Sequence, residues 1–404
     1  MRTTVCHIIT KLELGGAQKT TLFTVQQLDR TRFTPILITG EPGLLDEQAR
    51  ALEDVEFHQV PCLVRAIRLW KDVQALLALT RLLKKLKPVI VHTHSSKAGI
   101  LGRWAAWLAR VPIIIHTVHG FGITSEQPWW LRRLLIGAEW LTGLITTHWL
   151  AVSLADIDSG IRWGLFRGGN ITLIRPGIDI ASFHRLFPSS DRDRLREELG
   201  VEPGHLLVGT VSCLKPQKAP HDFVDVAAHV CACMPAARFV LVGDGELRAG
   251  VEAHIRSSKL EGRVTIVGWR RDIPALMRAF DVFLLTSHWE GLPQVLLEAR
   301  ASGLPVVATK TGGASETVND GYNGWLCAVG DVKGLAARVL GILLDVDERT
   351  RFSRNAGDIP SEFLNLTALR KREALYDTLL ERSGRGVWDG THGGHALGFD
   401  GRTE

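Results

Sequence analysis

Residues 281–298 read Asp-Val-Phe-Leu-Leu-Thr-Ser-His-Trp-Glu-Gly-Leu-Pro-Gln-Val-Leu-Leu-Glu, and this stretch decides the fold. The run from Asp281 to Leu285 is apolar, the mark of a strand buried on both faces. Gly291-Leu292-Pro293 makes a tight turn, and Gln294 to Ala301 carries a helical pattern. Strand, turn and helix in that order build open parallel sheets, which hold ligands outside the carboxyl ends of their strands. The helix start offers free N–H groups and partial positive charge to an anion. Glu290 stands on the turn and Glu298 lies about one turn deeper, where a carboxylate can meet a sugar hydroxyl. The arrangement points to a site for a sugar nucleotide.

The same alternation runs outward in both directions. In the first half, strands are expected at Val5–Ile9, Thr34–Thr39, Glu56–Val60, Val89–His92, Ile113–Thr117, Leu150–Val152 and Ile171–Ile174. Helical patterns such as Leu69–Leu86 and Lys97–Ala109 fill the gaps. In the second half, strands are expected at Leu206–Ser212, Phe239–Val242, Val264–Val267, Val282–Leu285 and Val306–Ala308. Phe187-Pro188-Ser189-Ser190-Asp191 interrupts the pattern with a polar, Pro-bearing segment of linker type. The expected fold class is therefore α/β: two doubly wound Rossmann-like domains, over 1–187 and 188–360, facing across a cleft. A carboxy-terminal helix is expected over 361–382, and a Gly-rich disordered tail over 383–404.

Composition narrows the class. With 404 residues, 45% hydrophobic and 23% charged, the chain can bury two cores. A net charge of +5 does not call for nucleic acid as a partner. No apolar stretch reaches the roughly 18 residues of a membrane span. Met1-Arg2-Thr3-Thr4 leads straight into the first apolar run with no signal-peptide pattern, and the six cysteines show no paired metal spacing. A reducing cytoplasm is the simplest setting.

Six further motifs end or follow strands. Leu14-Gly15-Gly16-Ala17-Gln18 opens a helix after the first strand, so its backbone either approaches a ligand or merely turns the chain. His92-Thr93-His94-Ser95 ends strand four. No third metal ligand follows at a sensible spacing, so cleft-lining or helix-capping roles are expected, with Ser95 or Ser96 as N-cap. His116-Thr117-Val118-His119-Gly120-Phe121-Gly122 follows strand five; His119 either faces the cleft or is a buried histidine satisfied by backbone. Lys215-Pro216-Gln217-Lys218 ends a strand on the cleft side, and its lysines suit a diphosphate better than bulk solvent. Val242-Gly243-Asp244-Gly245-Glu246 lacks the third glycine of a dinucleotide fingerprint and reads as a turn. Thr311-Gly312-Gly313 is another cleft-side turn or a helix cap. Three Asp-x-Asp strings, at Asp156, Asp191 and Asp345, fall in helical or linker patterns and not at strand ends.

Taken together, the motifs resemble glycosyltransferase family 4, the group 1 glycosyltransferases, which are retaining enzymes of GT-B fold. The likeness runs from about Ile8 to Leu344, and Glu290 with Glu298 is its most specific element. It implies that His119, Glu290 and Lys218 are the catalytic residues. His119 would hydrogen-bond the transferred sugar, Glu290 would bind that sugar, and Lys218 would neutralise the donor diphosphate. Gly15 and Gly16 would approach the donor phosphate, helped by Lys215. Glu298 would meet the ribose, and backbone near Trp269-Arg270 the base. Gly291, Leu292, Pro293, Val295 and Leu296 would line the sugar and phosphate. No cofactor and no metal are expected. Cys213 stands where many relatives carry Arg, which leaves Lys215 as a weaker substitute, since Lys is a point charge without a bidentate fork. Gln18 stands where an acidic residue is common.

The amino-terminal half is rich in Trp and Arg. Pro128-Trp129-Trp130-Leu131-Arg132-Arg133-Leu134-Leu135-Ile136 suits either an anionic membrane surface or a helix packed on the core. With the resemblance, it implies a hexosyltransferase acting on a glycan or lipid-linked glycan acceptor in cell-surface polysaccharide or lipopolysaccharide synthesis, peripheral on the inner face of the membrane. An epimerase or hydrolase of the same fold, or a non-catalytic sugar-nucleotide-binding subunit, stand as alternatives.

Overall fold

The structure is a computed structural model that describes residues 2–124, 126–184 and 189–384. The expected domain boundary at 187/188 lies outside the described residues, as does the tail from residue 385.

Two parallel sheets form the frame. The first comprises β1 (Thr3–Ile9), β2 (Phe33–Thr39), β3 (Glu56–Gln59), β4 (Ile90–His94), β5 (Ile113–Val118), β6 (His148–Ala151) and β7 (Ile171–Leu173), ordered β3-β2-β1-β4-β5-β6-β7. The second comprises β8 (Leu206–Val211), β9 (Ala237–Val242), β10 (Val264–Gly268), β11 (Val282–Leu285), β12 (Val306–Thr309) and β13 (Gly324–Cys327), ordered β10-β9-β8-β11-β12-β13. Helices cover both faces, so central strands such as β4, β5 and β11 are buried along their whole length. Strand order reverses between β1 and β4 and between β8 and β11. At such a switch point the outgoing loops part and leave a crevice. The loops after β1, β8 and β11 carry Gly15-Gly16, Lys215 to Lys218 and Glu290, so three of the sequence motifs sit at the two crevices.

The last helix, Asn365–Arg382, does not stay with the second sheet. The chain crosses back at Ile178, which bridges Leu364. Ala368, Leu369, Tyr376, Leu379 and Leu380 then pack with Val5, Phe33, Ile90 and Ile115 of the first sheet. An ion-pair clamp holds this crossing. Arg175 Nε donates to Glu316 at 2.8 Å and Arg175 Nη1 to Glu362 at 2.9 Å. Arg175 thereby joins Glu316 of the second domain to the turn that precedes the terminal helix.

Local differences from the expected elements have simple causes. β13 is a four-residue edge strand beside β12, too short to show a period. Ser95 does occupy the N-cap of the Ser96–Leu108 helix, but its φ of 62° turns its hydroxyl away from the helix, and Oγ bonds Thr10 Oγ1 at 2.8 Å. The Asp-x-Asp strings lie in helices or at a helix start, away from strand ends.

Candidate active site

The loops of the two sheets meet glycine on glycine. A Cβ on Gly291 would lie 2.6 Å from Gly120 N, and one on Gly313 would lie 2.0 Å from Gly291 O. Backbones can approach that closely only where no side chain intervenes. The contact sets His119, which precedes Gly120, directly beside the Glu290 turn.

Lys218 is fixed against that turn by its own loop. His288 N–H donates to Gln217 O at 2.8 Å, and Gln217 Nε2 donates to Trp289 O at 2.8 Å. Lys218 Nζ pairs with Glu290 Oε1, which also accepts from Ser287 Oγ at 2.7 Å. Glu290 Oε2 has no partner among the described residues. The carboxylate is thus oriented by two donors while one oxygen is kept for something else. Lys215 makes no ion pair among the described residues. Burial, and then the neighbouring Lys218 and Arg65, hold its ammonium below the ordinary lysine value. An unpaired lysine crowded by two further cations in a cleft marks a place for an anion.

Glu298 lies one stretch of helix further on, in Gln294–Ala301. Its carboxylate is buried and accepts from Lys19 Nζ of the opposite domain at 3.2 Å. Gln294 Nε2 crosses the same gap to Thr20 Oγ1 at 2.7 Å. Lys19, Gln294, Ser287 and Arg65 belong to the site but were not anticipated. Lys19 follows the Gly15-Gly16 motif by one helical turn, which is the one signal that could have found it.

These groups line one continuous trough. A cavity of about 450 Å³ holds Glu298, Lys19, Gly243, Trp269 and Arg270. The Arg270 guanidinium is taken up by Asp272 and Glu198, which leaves the backbone at Trp269-Arg270 to face the cavity. A cavity of about 270 Å³ shares Lys19, Cys213, Gln294 and Glu298 with the first and adds Gly15, Gly16, Lys218, Glu290, His119 and the run Gly291 to Val295. A third, of about 590 Å³, shares His119 and Lys215 and opens toward Arg65, Lys97 and Trp289. Most of the expected site residues are therefore brought together; Leu296, by contrast, is fully buried in the core beneath the trough.

Behind His119 lies a cluster that corrects the reading of His92 and His94. Neither caps a helix or lines the cleft; both are buried in β4. His94 Nδ1 meets His119 Nε2 at 3.1 Å, and His94 Nε2 meets His7 Nδ1 at 3.0 Å. His92 bonds Tyr376 OH and Thr117 Oγ1, each at 2.6 Å. Burial holds His7 and His119 at about 3 and His92 and His94 well below the ordinary imidazole value, with buried Arg372 adding to each effect. His7, His92 and His94 offer ring nitrogens within 4.8 Å of one another, but hydrogen bonds already use all six, so a cation would have to displace them. His116 is satisfied by Thr93 Oγ1 at 2.9 Å.

Two facing parallel-sheet domains with this shared trough define a GT-B glycosyltransferase. The glycosyltransferase family 4 model matches residues 14–182, and the glycosyl transferases group 1 model matches residues 191–358. A UDP-Gal:alpha-D-GlcNAc-diphosphoundecaprenol alpha-1,3-galactosyltransferase from Escherichia coli is 35% identical over 336 residues, 81% of this chain and 84% of that one. The capsular polysaccharide biosynthesis glycosyltransferase CapM of Staphylococcus aureus is 24% identical over 333 residues, 81% of this chain and 86% of that one. Anabaena HepE, solved in complex with UDP-glucose, superposes with a TM-score of 0.79 at 25% identity, over 93% of this chain and all of that one. The chain belongs to the group 1 glycosyltransferases of family 4, and it is an enzyme of hexosyltransferase type.

Proposed function

We propose that this enzyme moves a hexose from a UDP-sugar to a sugar carried on a lipid diphosphate, with retention at the anomeric carbon. The observation that carries the reading is the order of groups along the trough. The cavity at Trp269 takes the base, Glu298 the ribose, Lys218 and Lys215 the diphosphate, and Glu290 with His119 the sugar. The relatives support the ligand classes: one is named for a UDP-galactose donor and a diphosphoundecaprenol acceptor, and one was solved with UDP-glucose.

The chemistry follows from the charges. Breaking the anomeric bond builds negative charge on the leaving diphosphate. Lys218, Lys215 and the amino end of the Gln294–Ala301 helix are already in place to stabilise it. Glu290 is tied to Lys218 and Ser287, which suits it to hold a sugar hydroxyl and not to act as a nucleophile. Transfer by same-face attack, with a diphosphate oxygen taking the acceptor proton, then accounts for retention. Closure across the Gly120–Gly291 contact excludes water and suppresses donor hydrolysis. The acceptor enters through the third cavity, where Arg65 is placed to meet its diphosphate. No metal ion is assigned a part, so activity is expected to survive EDTA; loss restored by a divalent cation would contradict this.

The acceptor side faces an apolar and basic surface. Trp70, Trp129, Trp130 and Leu134 are exposed by more than half, and Arg133 stacks over Trp129 at 5.6 Å. They stand on the Leu69–Leu86 and Trp129–Gly143 helices, each of which packs beside Ser96–Leu108. No helix among the described residues is long and apolar enough to cross a membrane. The surface suits peripheral docking on the anionic inner face of a membrane.

The test is transfer from UDP-galactose to a GlcNAc-diphosphate lipid, with the product linkage read by proton NMR. An α-linked disaccharide supports the reading. A β linkage removes retention, donor conversion without acceptor favours an epimerase or hydrolase, and binding without turnover favours a non-catalytic subunit.

A further inference from the structure

The buried groups behind His119 form one unbroken hydrogen-bonded chain. It runs from Thr117 Oγ1 to His92, from His92 to Tyr376 OH, from Tyr376 to His7 at 3.4 Å, then to His94 and on to His119 Nε2. His7, His92, His94, Thr117 and Tyr376 are each no more than 3% exposed. Burial and the neighbouring Arg372, whose Nη1 is anchored on Thr24, keep the four imidazoles neutral. Each neutral imidazole then carries one N–H and one lone pair, so the chain admits three proton registers: one running each way, and one in which Tyr376 accepts from both His92 and His7 and leaves its own fully buried O–H unpaired, a cost that excludes it.

In one register Thr117 O–H donates to His92 Nε2, His92 Nδ1–H to Tyr376, Tyr376 O–H to His7 Nε2, His7 Nδ1–H to His94 Nε2 and His94 Nδ1–H to His119 Nε2. Every buried proton has an acceptor, and one N–H is left over, on His119 Nδ1. In the reversed register the hydrogen of Thr117 is the one left over. That hydroxyl is buried, and among the described residues it has no other acceptor. An unpaired buried donor is costly, so the first register is the stable one.

We infer that the chain polarises His119 as the Nδ1–H tautomer, and that Tyr376 on the carboxy-terminal helix is its necessary middle link. Tyr376, His7 and His94 are positioning residues: they act through His119. The ring nitrogen of His119 left out of the chain is thereby a standing donor for a sugar hydroxyl. This consequence rests on the reading above that His119 faces the transferred sugar. It also gives the last helix a part in the site, since it belongs to the first sheet's core and yet closes the chain of hydrogen bonds.

The experiment is long-range proton–nitrogen NMR on protein carrying 15N-histidine, as wild type, Tyr376→Phe, Thr117→Val and Thr117→Ser, with donor KM and kcat measured on each. The wild type is expected to show His119 as a single Nδ1–H tautomer. Tyr376→Phe and Thr117→Val should give a tautomer mixture at His119 and a roughly tenfold loss in kcat/KM, with melting close to wild type, and Thr117→Ser should restore both. An Nε2–H tautomer in the wild type, or an unchanged His119 in both disruptive variants, overturns the relay. Stabilisation of the wild type by added zinc overturns it in favour of a metal centre. A tautomer change with unchanged turnover leaves the relay standing and removes His119 from the sugar site.

Discussion

The family resemblance implies an arginine where this chain has Cys213, and three cations surround the thiol. The thiol is half-buried, and burial raises its titration above the ordinary value, so it stays neutral beside Lys215, Arg65 and Lys218. Three separate cations crowd the place where one guanidinium would serve. Cys213→Arg should therefore tighten UDP binding about tenfold by calorimetry, the worth of one added charge-assisted hydrogen bond; weaker binding would show that the cluster already fills the position. Lys218→Ala should lower kcat by about 10²–10³-fold, as expected for a donor that acts on the leaving group. A change confined to KM would make it a ground-state contact only. Lys218, Glu290 and His119 were legible because they end strands at predictable offsets. Arg65 was not, because no motif surrounds it, and Lys19 had only its place one turn after Gly15-Gly16, since its partner Glu298 lies in the opposite domain. The histidines of β4 were visible as a motif, but their burial depends on Tyr376, almost 300 residues away, and no local pattern carries that.

At the scale of elements, the site is made by loops that touch without side chains between them. Gly291→Ala puts a methyl against Gly120 N, so the two loops cannot meet as they do here. The expected result is a loss of about 100-fold or more in kcat with little change in melting temperature, because the clash is relieved by opening the cleft. Small-angle scattering in the presence of UDP should show the variant more extended than the wild type; an equally compact and active variant would contradict the closure. The strand-turn-helix unit at 281–301 was readable because its buried strand, Pro-bearing turn and helix each follow local rules. The carboxy-terminal helix was readable as a helix, but an apolar stripe says only that a face is covered and not by what. It covers the first sheet.

At the scale of the whole molecule, six imidazoles among the described residues are held low by burial: His7, His92, His94, His116, His119 and His148. Each is neutral in the folded state where the unfolded chain would take up a proton, so its contribution is full above about pH 6.5 and is lost as pH falls. Asp156, raised to about 7 by burial, works the other way between pH 7 and its unfolded value, but it is one group against six. Stability should therefore fall by about 3 kcal/mol or more between pH 7 and pH 5, read from urea midpoints; a flat profile would contradict neutral burial of the cluster. The central claim is that the trough between the domains holds a nucleotide sugar with the ribose at Glu298. The most direct test is metal-free calorimetry of UDP-, GDP- and ADP-sugars against the wild type and Glu298→Ala. Selective binding of a UDP-sugar, lost in the variant, is the expected result. Binding to none of them, or equal binding by both proteins, would contradict it.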